Sequence, residues 1–263
     1  MPVRLEEILT STRRSLSSLQ SRRAQLEQAI RSRSSGRPSF HAALRKPSVA
    51  VIAEVKRRSP SAGSIREDLD PGERAALYAA HGAAAISVLT DGPYFGGSVD
   101  DLEAAARRCP LPLLRKDFIL DEVQILEARA AGASAVLLIV RALERPLLKS
   151  LLQCARELGL DALVEVHTRG ELDAALEASA TIIGVNSRDL DTFRVDVETA
   201  WRLLAEVPKD RLAVAESGIR GQADVIRAAE AGADAVLVGT ALSAAPAPEQ
   251  LLREMGGVIR RER

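Results

Sequence analysis

Charged and amide side chains interrupt five short hydrophobic segments of this 263-residue chain, each at or near the segment's end. In the first segment, Glu54 and Lys56 stand two residues apart, so both would face the same side of a β-strand. The other four segments contribute Lys116, Glu165, Asn186 and Glu216. Carboxylates and ammonium groups are the side chains that most readily exchange protons with a substrate. Their grouping predicts an active site for acid–base chemistry.

A salt-bridged plug in the protein interior is the alternative explanation for these residues. An unpaired buried charge costs on the order of several kcal/mol, so the three glutamates would have to pair with Lys56 and Lys116. This alternative does not explain why every exception falls at the same end of its segment. The combined pattern therefore favours an active site.

Glycines and hydroxyl side chains follow the last two hydrophobic segments, as Ser217-Gly218 and Gly239-Thr240. Glycine lets the backbone approach an anion, and N–H groups near a helix start can bind phosphate. Gly-Thr alone could be ordinary turn chemistry. Both pairs, however, stand where α/β barrels commonly hold phosphate, and together they predict a phosphate site.

The elements that must position these residues are eight predicted strands: 49–55, 84–89, 111–115, 135–140, 161–166, 181–185, 211–215 and 235–238. Continuous apolar runs separated by amphipathic stretches are typical of a parallel sheet covered by helices. The pattern Gly-Ala-x-Ala-aliphatic recurs at Gly82, Gly132 and Gly232, so two βα units occupy about 50 residues. The sequence therefore predicts an α/β fold, a (β/α)8 TIM barrel.

Helix-start signals support this division. Asp70 precedes Pro71 and stands three residues before Glu73, which is typical of an N-cap. Ser98, Asp121 and Thr168 have a similar spacing to a polar residue three positions later.

The N-terminal segment differs from the rest of the chain. Leucines and isoleucines recur at helical spacing over the first ~35 residues, which predicts one or two amphipathic helices followed by a loop at 32–39. We interpret residues 1–47 as a helical extension and 48–263 as the eight βα units of a single domain. Capping a barrel end is favoured over partner binding as the role of the extension, and which end is left open.

Composition excludes several other classes of protein. Lys plus Arg and Asp plus Glu both number 36, so the chain lacks the basic excess of a nucleic-acid binder. Cys109, Cys154 and the three histidines have no metal-ligand spacing, and we expect no metal site and reduced cysteines. No apolar run is long enough to span a membrane, and the charged N-terminus lacks a signal-peptide core. We therefore expect a cytoplasmic enzyme for a small molecule.

Five stretches resemble the signature motifs of the indole-3-glycerol phosphate synthase family. They are Ile52-Ala-Glu-Val-Lys-Arg-Arg-Ser-Pro-Ser61, Tyr94-Phe-Gly-Gly-Ser98, Leu114-Arg-Lys-Asp-Phe-Ile119, Gly184-Val-Asn-Ser-Arg-Asp-Leu190 and Ala215-Glu-Ser-Gly218. The similarity extends in order over essentially the whole chain and includes the helical N-terminal extension. Five co-linear motifs are far more specific than any one of them.

The resemblance implies conversion of 1-(2-carboxyphenylamino)-1-deoxyribulose 5-phosphate to indole-3-glycerol phosphate in tryptophan biosynthesis, with loss of carbon dioxide and water. Lys116 matches the family's general acid for ring closure, and Glu165 matches the base of the later dehydration. Lys56 would meet the substrate carboxylate and help to expel the hydroxyl. Positioning of lysines and substrate hydroxyls is implied for Glu54, Asn186 and Glu216. The iminium formed on ring closure can accept the electrons of decarboxylation, so no cofactor is expected.

Nine substrate-binding positions follow from the same resemblance. Phe95 and Phe118 would form apolar walls for the anthranilate ring, although either could be plain loop packing. Phosphate contacts are implied for Ser217, Gly218, Gly239 and Thr240, and further substrate contacts for Ser59, Arg188 and Leu237. Ala62 stands where many relatives carry Lys, and Thr240 replaces a common Ser; neither change affects the implied acid or base. Monomer and homodimer both remain open.

Two other functions are alternatives. Phosphoribosylanthranilate isomerase is a related phosphate-binding barrel that uses a cysteine near the end of its first strand as base, but here that strand ends in Glu-Val-Lys. A catalytically inactive barrel kept as a binding subunit would be free to lose Lys116 or Glu165, and both are present.

Overall fold

Eight parallel strands close into a barrel in the computed structural model, which describes residues 4–32 and 37–261. Each strand pairs with its neighbour in the chain, and the eighth pairs with the first through Ala50 and Ala235. This topology confirms the predicted (β/α)8 barrel. The strands are β1 (Ala50–Val55), β2 (Ala85–Leu89), β3 (Leu113–Lys116), β4 (Ala135–Ile139), β5 (Asp161–Val166), β6 (Ile182–Asn186), β7 (Leu212–Glu216) and β8 (Ala235–Val238).

Helices alternate with the strands and cover the barrel. The predicted caps form: Asp70 and Ser98 each accept a hydrogen bond from the backbone N–H three residues later, at 2.7 and 3.2 Å. In chain order the helices are α1 (Leu5–Gln20), α2 (Arg23–Ser32), α3 (Phe40–Leu44), α4 (Pro71–Ala80), α5 (Gly92–Phe95), α6 (Val99–Arg108), α7 (Glu122–Ala131), α8 (Arg145–Glu157), α9 (Arg169–Glu177), α10 (Val197–Leu204), α11 (Gln222–Glu230), α12 (Thr240–Ala244) and α13 (Pro248–Met255). A single 3-10 turn, Val140–Ala142, follows β4.

Alternate residues of each strand face the barrel interior. Within β1, Ala50 and Ile52 belong to the apolar cluster that fills the barrel, whereas Val51 and Ala53 belong to the cluster between strands and helices. Since side chains in a strand alternate with period two, the next inward positions after Ile52 are Glu54 and Lys56. The same alternation places polar residues at the inner carboxyl ends of other strands.

Several strand boundaries differ from the predicted ones by one residue, and the largest difference is at β3, which begins at Leu113 rather than at residue 111. Pro110 and Pro112 lack backbone N–H groups, so neither residue can donate to a strand ladder. The predicted polar loop after β1 contains a small antiparallel hairpin, in which Arg58 pairs with Ser64 and Ser59 with Gly63. These differences do not change which residues reach the barrel interior.

The N-terminal extension contacts both ends of the barrel. Near the carboxyl ends of the strands, Gln20 at the end of α1 donates to Asp121, the N-cap of α7, at 2.7 Å. At the opposite end, Ser39 and the N–H of His41 donate to Asp161, the first residue of β5, at 3.1 and 2.9 Å. Helix α3, with Phe40 and Leu44 buried, therefore closes the amino-terminal end, while α2 packs along α7 on the outside. Of the predicted loop at 32–39, residues 33–36 lie outside the described part of the chain.

Both cysteines are free thiols, with Cys109 buried at the end of α6 and Cys154 half-buried within α8. Over residues 4–32 and 37–261, no helix has the length and apolar character needed to cross a bilayer.

Candidate active site

A cavity of about 700 Å³ lies at the carboxyl ends of the strands. All of the catalytic and substrate-binding positions predicted from the sequence line it. They are Glu54, Lys56, Ser59, Phe95, Lys116, Phe118, Glu165, Asn186, Arg188, Glu216, Ser217, Gly218, Leu237, Gly239 and Thr240. The structure therefore brings together residues that are spread over 187 positions of sequence (54 to 240, both included).

Lys116 stands between two carboxylates inside the barrel. Its Nζ lies 3.1 Å from Glu165 Oε2 and 3.3 Å from Glu216 Oε2. Burial by itself lowers the pKa of Lys116, but the charges of the two glutamates outweigh it and hold that pKa well above its usual range. The side chain is therefore a protonated ammonium that faces the cavity.

The two carboxylates beside Lys116 respond differently to burial. Burial raises the pKa of Glu216 to about 8, and the neighbouring Glu165 adds to the rise while Lys116 opposes it. For Glu165, burial also raises the pKa, but Lys116, His167 and a hydrogen bond from Asn186 more than offset it, so its pKa falls below the usual value. Glu165 is therefore ionised at neutral pH, and Glu216 is largely protonated.

Glu54 and Lys56 form a second ion pair at the end of β1, with 2.8 Å between Lys56 Nζ and Glu54 Oε1. The backbone of Gly239, at the end of β8, passes so close that an added Cβ would lie 2.0 Å from Glu54 Oε1 and 2.9 Å from Lys56 Nζ. Only glycine leaves room for the pair here. A larger residue at 239 would displace this pair as well as alter the neighbouring loop.

The ion pairs expected of an interior plug are thus present, yet they do not fill the barrel. Lys56 and Lys116 keep 13% and 14% of their side chains exposed, whereas the carboxylates of Glu165 and Glu216 are almost completely buried. The ammonium groups are therefore the parts of this network that a ligand in the cavity can reach.

Apolar walls flank the charged floor of the cavity. The rings of Phe95, from α5, and Phe118, after β3, have centroids 6.2 Å apart and are tilted by 38°. Leu237 of β8 and Leu137 of β4 add aliphatic surface. An aromatic ring bound between these walls would bury its faces against carbon atoms while its polar substituents met the lysines.

Two loops meet across the mouth of the cavity. Arg188 Nη1, in the loop after β6, donates to Ser61 Oγ in the hairpin after β1 at 3.2 Å and to the carbonyl oxygen of Phe193 at 3.0 Å. Burial lowers the pKa of Arg188, and the charge of Glu54 opposes that shift. The guanidinium remains a donor at the rim.

Between these two loops, the loops after β7 and β8 bring Ser217-Gly218 and Gly239-Thr240 to the cavity. Ser217 has a φ of 64°, in the left-handed region that a residue with a side chain rarely adopts. Strained backbone of this kind is concentrated at functional sites. Thr240 begins the short helix α12. Backbone and hydroxyl donors from two adjacent loops thus converge on one side of the cavity.

Several lining residues were not predicted from the sequence, among them Ser61, Leu190, Phe193 and Arg220. They stand in loops, where no periodic pattern marks the side that faces inward. His167 was assigned no role either, although it follows Glu165 by two residues and so has the same inward parity. The two-residue spacing from Glu165 is the sequence feature from which the inward position of His167 could be predicted. Within the described ranges, no group of three or more His, Cys, Asp and Glu residues is arranged to hold a metal ion.

Comparison with known proteins identifies close relatives of this chain. The sequence profile of a family described as "Indole-3-glycerol phosphate synthase" matches residues 5–255. The protein of that name from Parafrankia sp. (strain EAN1pec) is 48% identical over 253 residues, covering 95% of this chain and 94% of the relative. Another, from Mycobacteroides abscessus, is 53% identical over 201 residues, covering 76% and 74% of the two chains.

Solved structures of more distant proteins share the fold. A 3-hexulose-6-phosphate synthase from Salmonella typhimurium superposes with a TM-score of 0.60 at 17% identity, covering 79% of this chain and 96% of its own. A thiamine phosphate pyrophosphorylase from Pyrococcus furiosus has a TM-score of 0.57 at 18% identity, covering 81% and 95%. At such identities the likeness concerns the barrel alone.

Proposed function

Because the chain belongs to the indole-3-glycerol phosphate synthase family, we propose that six polar residues of the cavity perform the acid–base chemistry of its reaction or position the groups that do: Glu54, Lys56, Lys116, Glu165, Asn186 and Glu216. The enzyme is a decarboxylating, ring-closing lyase of tryptophan biosynthesis that acts on a small phosphorylated substrate. It converts 1-(2-carboxyphenylamino)-1-deoxyribulose 5-phosphate to indole-3-glycerol phosphate, carbon dioxide and water.

Lys116 is the general acid of ring closure in this proposal. The observation that carries the assignment is the position of its ammonium, held between Glu165 and Glu216 and still open to the cavity. As the ring carbon attacks the substrate carbonyl, negative charge develops on the carbonyl oxygen. A fixed ammonium stabilises that charge and then transfers its proton. Carbon dioxide is lost from the iminium that ring closure produces.

Glu165 is the general base of the dehydration that completes the indole ring. Its pKa lies below the usual value despite burial, so the carboxylate is ready to accept a proton at neutral pH. Lys56 binds the substrate carboxylate before it leaves and assists departure of the hydroxyl. Its pairing with Glu54 supports this role, because the pair holds the ammonium at the edge of the cavity.

The remaining residues hold the substrate. Asn186 and Glu216 position Lys116, Glu165 and the substrate hydroxyls, and they are opposite one another on β6 and β7. Ser217, Gly218, Gly239 and Thr240 bind the phosphate, and Phe95 with Phe118 and Leu237 encloses the anthranilate ring. Ser59 and Arg188 complete the substrate contacts from the two loops that meet at the mouth.

The proposal also covers the domain organisation, cellular location, oligomeric state and cofactor requirement of the enzyme. The extension and the barrel form one domain, supported by the contacts of α1 and α3 with opposite barrel ends. The enzyme is cytoplasmic, acts as a monomer or homodimer and requires no nucleic acid or cofactor. Its balanced charge and its bacterial biosynthetic relatives support this setting.

Fluorescence of indole-3-glycerol phosphate, measured with added EDTA, tests the residue assignment. We expect Lys116→Met to lower turnover at least ~100-fold, as expected for lost acid catalysis, while the variant still binds the substrate. Lys149→Met, which removes an exposed lysine on α8, is the matched control and should leave turnover unchanged. Near-normal turnover of the Lys116 variant would remove that residue from the mechanism.

A catalytically inactive binding barrel is the second candidate, and the same assay addresses it. Folded wild-type protein that binds the substrate without forming product would favour that function. Product formed in the presence of EDTA excludes it and excludes a requirement for a chelatable metal ion.

A further inference from the structure

A histidine outside the proposed catalytic set contacts the proposed base. Glu165 has two carboxylate oxygens, and Lys116 donates to Oε2 at 3.1 Å. The other oxygen, Oε1, is fully buried and has no hydrogen-bond partner of normal geometry among the described residues. His167 Nε2 lies 3.6 Å from this oxygen and also lacks a hydrogen-bond partner.

The contacts of the other ring nitrogen of His167, Nδ1, show that Nδ1 carries a hydrogen. Nδ1 lies 3.3 Å from Glu171 Oε2, and the same oxygen accepts a hydrogen bond from the backbone N–H of His167 at 2.7 Å. Burial raises the pKa of Glu171, but hydrogen bonds from His167 and the charge of Arg141 outweigh it and lower that pKa. An ionised carboxylate can only accept, so Nδ1 must carry a hydrogen.

With Nδ1 protonated, the contact between Nε2 and Glu165 Oε1 needs a proton of its own. If both atoms presented lone pairs, two acceptors would face each other in a buried space and repel, at a cost typical of unsatisfied polar groups. One proton between them removes the repulsion. The separation of 3.6 Å is longer than a formed hydrogen bond, and a small rotation of either side chain closes it.

Glu171 itself is held from both sides. It belongs to the first turn of α9, where the cap Thr168 accepts from its backbone N–H at 3.2 Å. Arg141, in the 3-10 turn after β4, donates from Nε to Glu171 Oε1 at 3.2 Å and from Nη1 to Asp189 at 3.0 Å. The imidazole is therefore supported by residues from three elements around the barrel.

From these contacts we infer that His167 is a positioning residue for the base: its Nε2 shares a proton with Glu165 Oε1 and holds the carboxylate oriented and ionised. The inference rests on the proposed role of Glu165. His167 is 5% exposed in its side chain and does not line the cavity, so it acts through Glu165 rather than on the substrate. The charged groups that face the Glu165–His167 pair are Lys116, Glu216, Glu171 and, through Glu171, Arg141 and Asp189.

Two substitutions of His167 distinguish its role as a hydrogen-bond donor from the packing of its side chain. His167→Leu removes the shared proton, so we expect kcat to fall about tenfold, the loss expected for one hydrogen bond to a charged group, with KM nearly unchanged. The acid limb of the kcat–pH profile should move up by about one unit, because Glu165 becomes easier to protonate. His167→Gln can still donate an N–H, and should recover most of the lost kcat.

His81→Leu is the matched control. Like His167, His81 has an oxygen beside Nδ1, the backbone carbonyl of Leu77 at 2.7 Å, but it lies at the end of α4 and away from the cavity. We expect its kcat and its pH profile to equal those of the wild type. Glu171→Gln provides a second route to the same question, because it weakens the acceptor at Nδ1 and should move the acid limb in the same direction.

An unmoved acid limb and a kcat within twofold of wild type in His167→Leu would overturn the inference, as would equal losses in the Leu and Gln variants. Should His167→Leu fail to fold, the pH profile of Glu171→Gln decides: an acid limb that stays at the wild-type position contradicts the inference. Glu165→Gln is measured alongside. If it is inactive while the His167 variants are normal, only this inference fails; if it is active, the assignment of Glu165 as the base fails as well.

Discussion

At the scale of single residues, the barrel interior holds more acids than bases near its mouth. Glu54, Glu165 and Glu216 face only two ammonium groups, those of Lys56 and Lys116, in the interior ion-pair network of the described residues. The pKa of Glu216, raised to about 8 by burial first and then by its acidic neighbours, resolves the imbalance. A protonated Glu216 leaves each lysine with one ionised partner at neutral pH.

This arrangement makes stability depend on pH through Glu216. Its pKa in the folded protein, about 8, exceeds the ordinary value of 4.5 that applies to the unfolded chain. The folded state therefore binds the proton more tightly, and the resulting stabilisation, complete below pH 4.5, is lost as pH rises to 8.

We expect Glu216→Gln to remove that loss. The free energy of unfolding of the variant minus that of wild type should increase by about 1 kcal/mol per pH unit between pH 5 and 8 and then level off. Urea titrations of both proteins across this range measure it. A difference that is flat with pH would show that Glu216 is not the group that titrates.

At the scale of secondary structure, each strand places alternate side chains in the barrel interior, and the neighbouring strands must leave space for them. Glu216 on β7 needs space on β6, and Gly184 provides it, since an added Cβ there would lie 2.0 Å from Glu216 Oε1. Gly184 is also paired across the ladder with Glu165. One missing side chain on β6 thus permits a carboxylate to stand beside Lys116.

Gly184→Ala should therefore impair catalysis more than folding. The methyl group must push the Glu216 carboxylate from its place beside Lys116, and displacements of about 1 Å at an active site lower rates by up to ~100-fold. We expect kcat to fall about 10- to 100-fold. Gly170→Ala, in α9 with nothing within 4 Å of its added Cβ, is the control and should leave kcat unchanged. Equal activity of the two variants would contradict this account of Gly184.

At the scale of the whole molecule, the two barrel ends have separate tasks. The carboxyl ends of the strands carry the cavity, whereas α3 closes the amino-terminal end with Phe40 and Leu44, both completely buried. Barrel enzymes generally divide activity and stability between their ends in this way. The extension adds α1 near the first end and α3 at the second, so a single N-terminal segment serves both.

Phe40→Ala tests this separation. Loss of a buried phenyl ring costs about 3–5 kcal/mol of unfolding free energy, because the barrel end cannot collapse onto the void. We expect kcat and KM of the folded variant to stay at wild-type values. Ile259→Ala, at a residue that is 71% exposed, should change stability by less than about 0.5 kcal/mol. A large rise in KM for Phe40→Ala would mean that the two ends are coupled.

The strands and the polar residues at their ends could be predicted because both depend on local periodicity. Glu54 and Lys56 stand out as charges in an apolar run, and the chain order of the strands implies their convergence. The contact between His167 and Glu171 could not be predicted in the same way, since it depends on how α9 starts after β5. The placement of α1 and α3 at opposite ends likewise depends on packing between segments that are distant in sequence.

Closure of the amino-terminal end by α3 means that substrate entry and product release use the other end of the barrel. Within the described residues, the cavity opens at the carboxyl ends of the strands, where the Arg188–Ser61 contact crosses its mouth. The next substrate arrives along the route by which indole-3-glycerol phosphate departs. Two phosphorylated molecules that share one entrance and one binding site cannot pass each other, so each cycle must empty the barrel before it refills. Accumulated product then acts as a competitor that abundant substrate displaces.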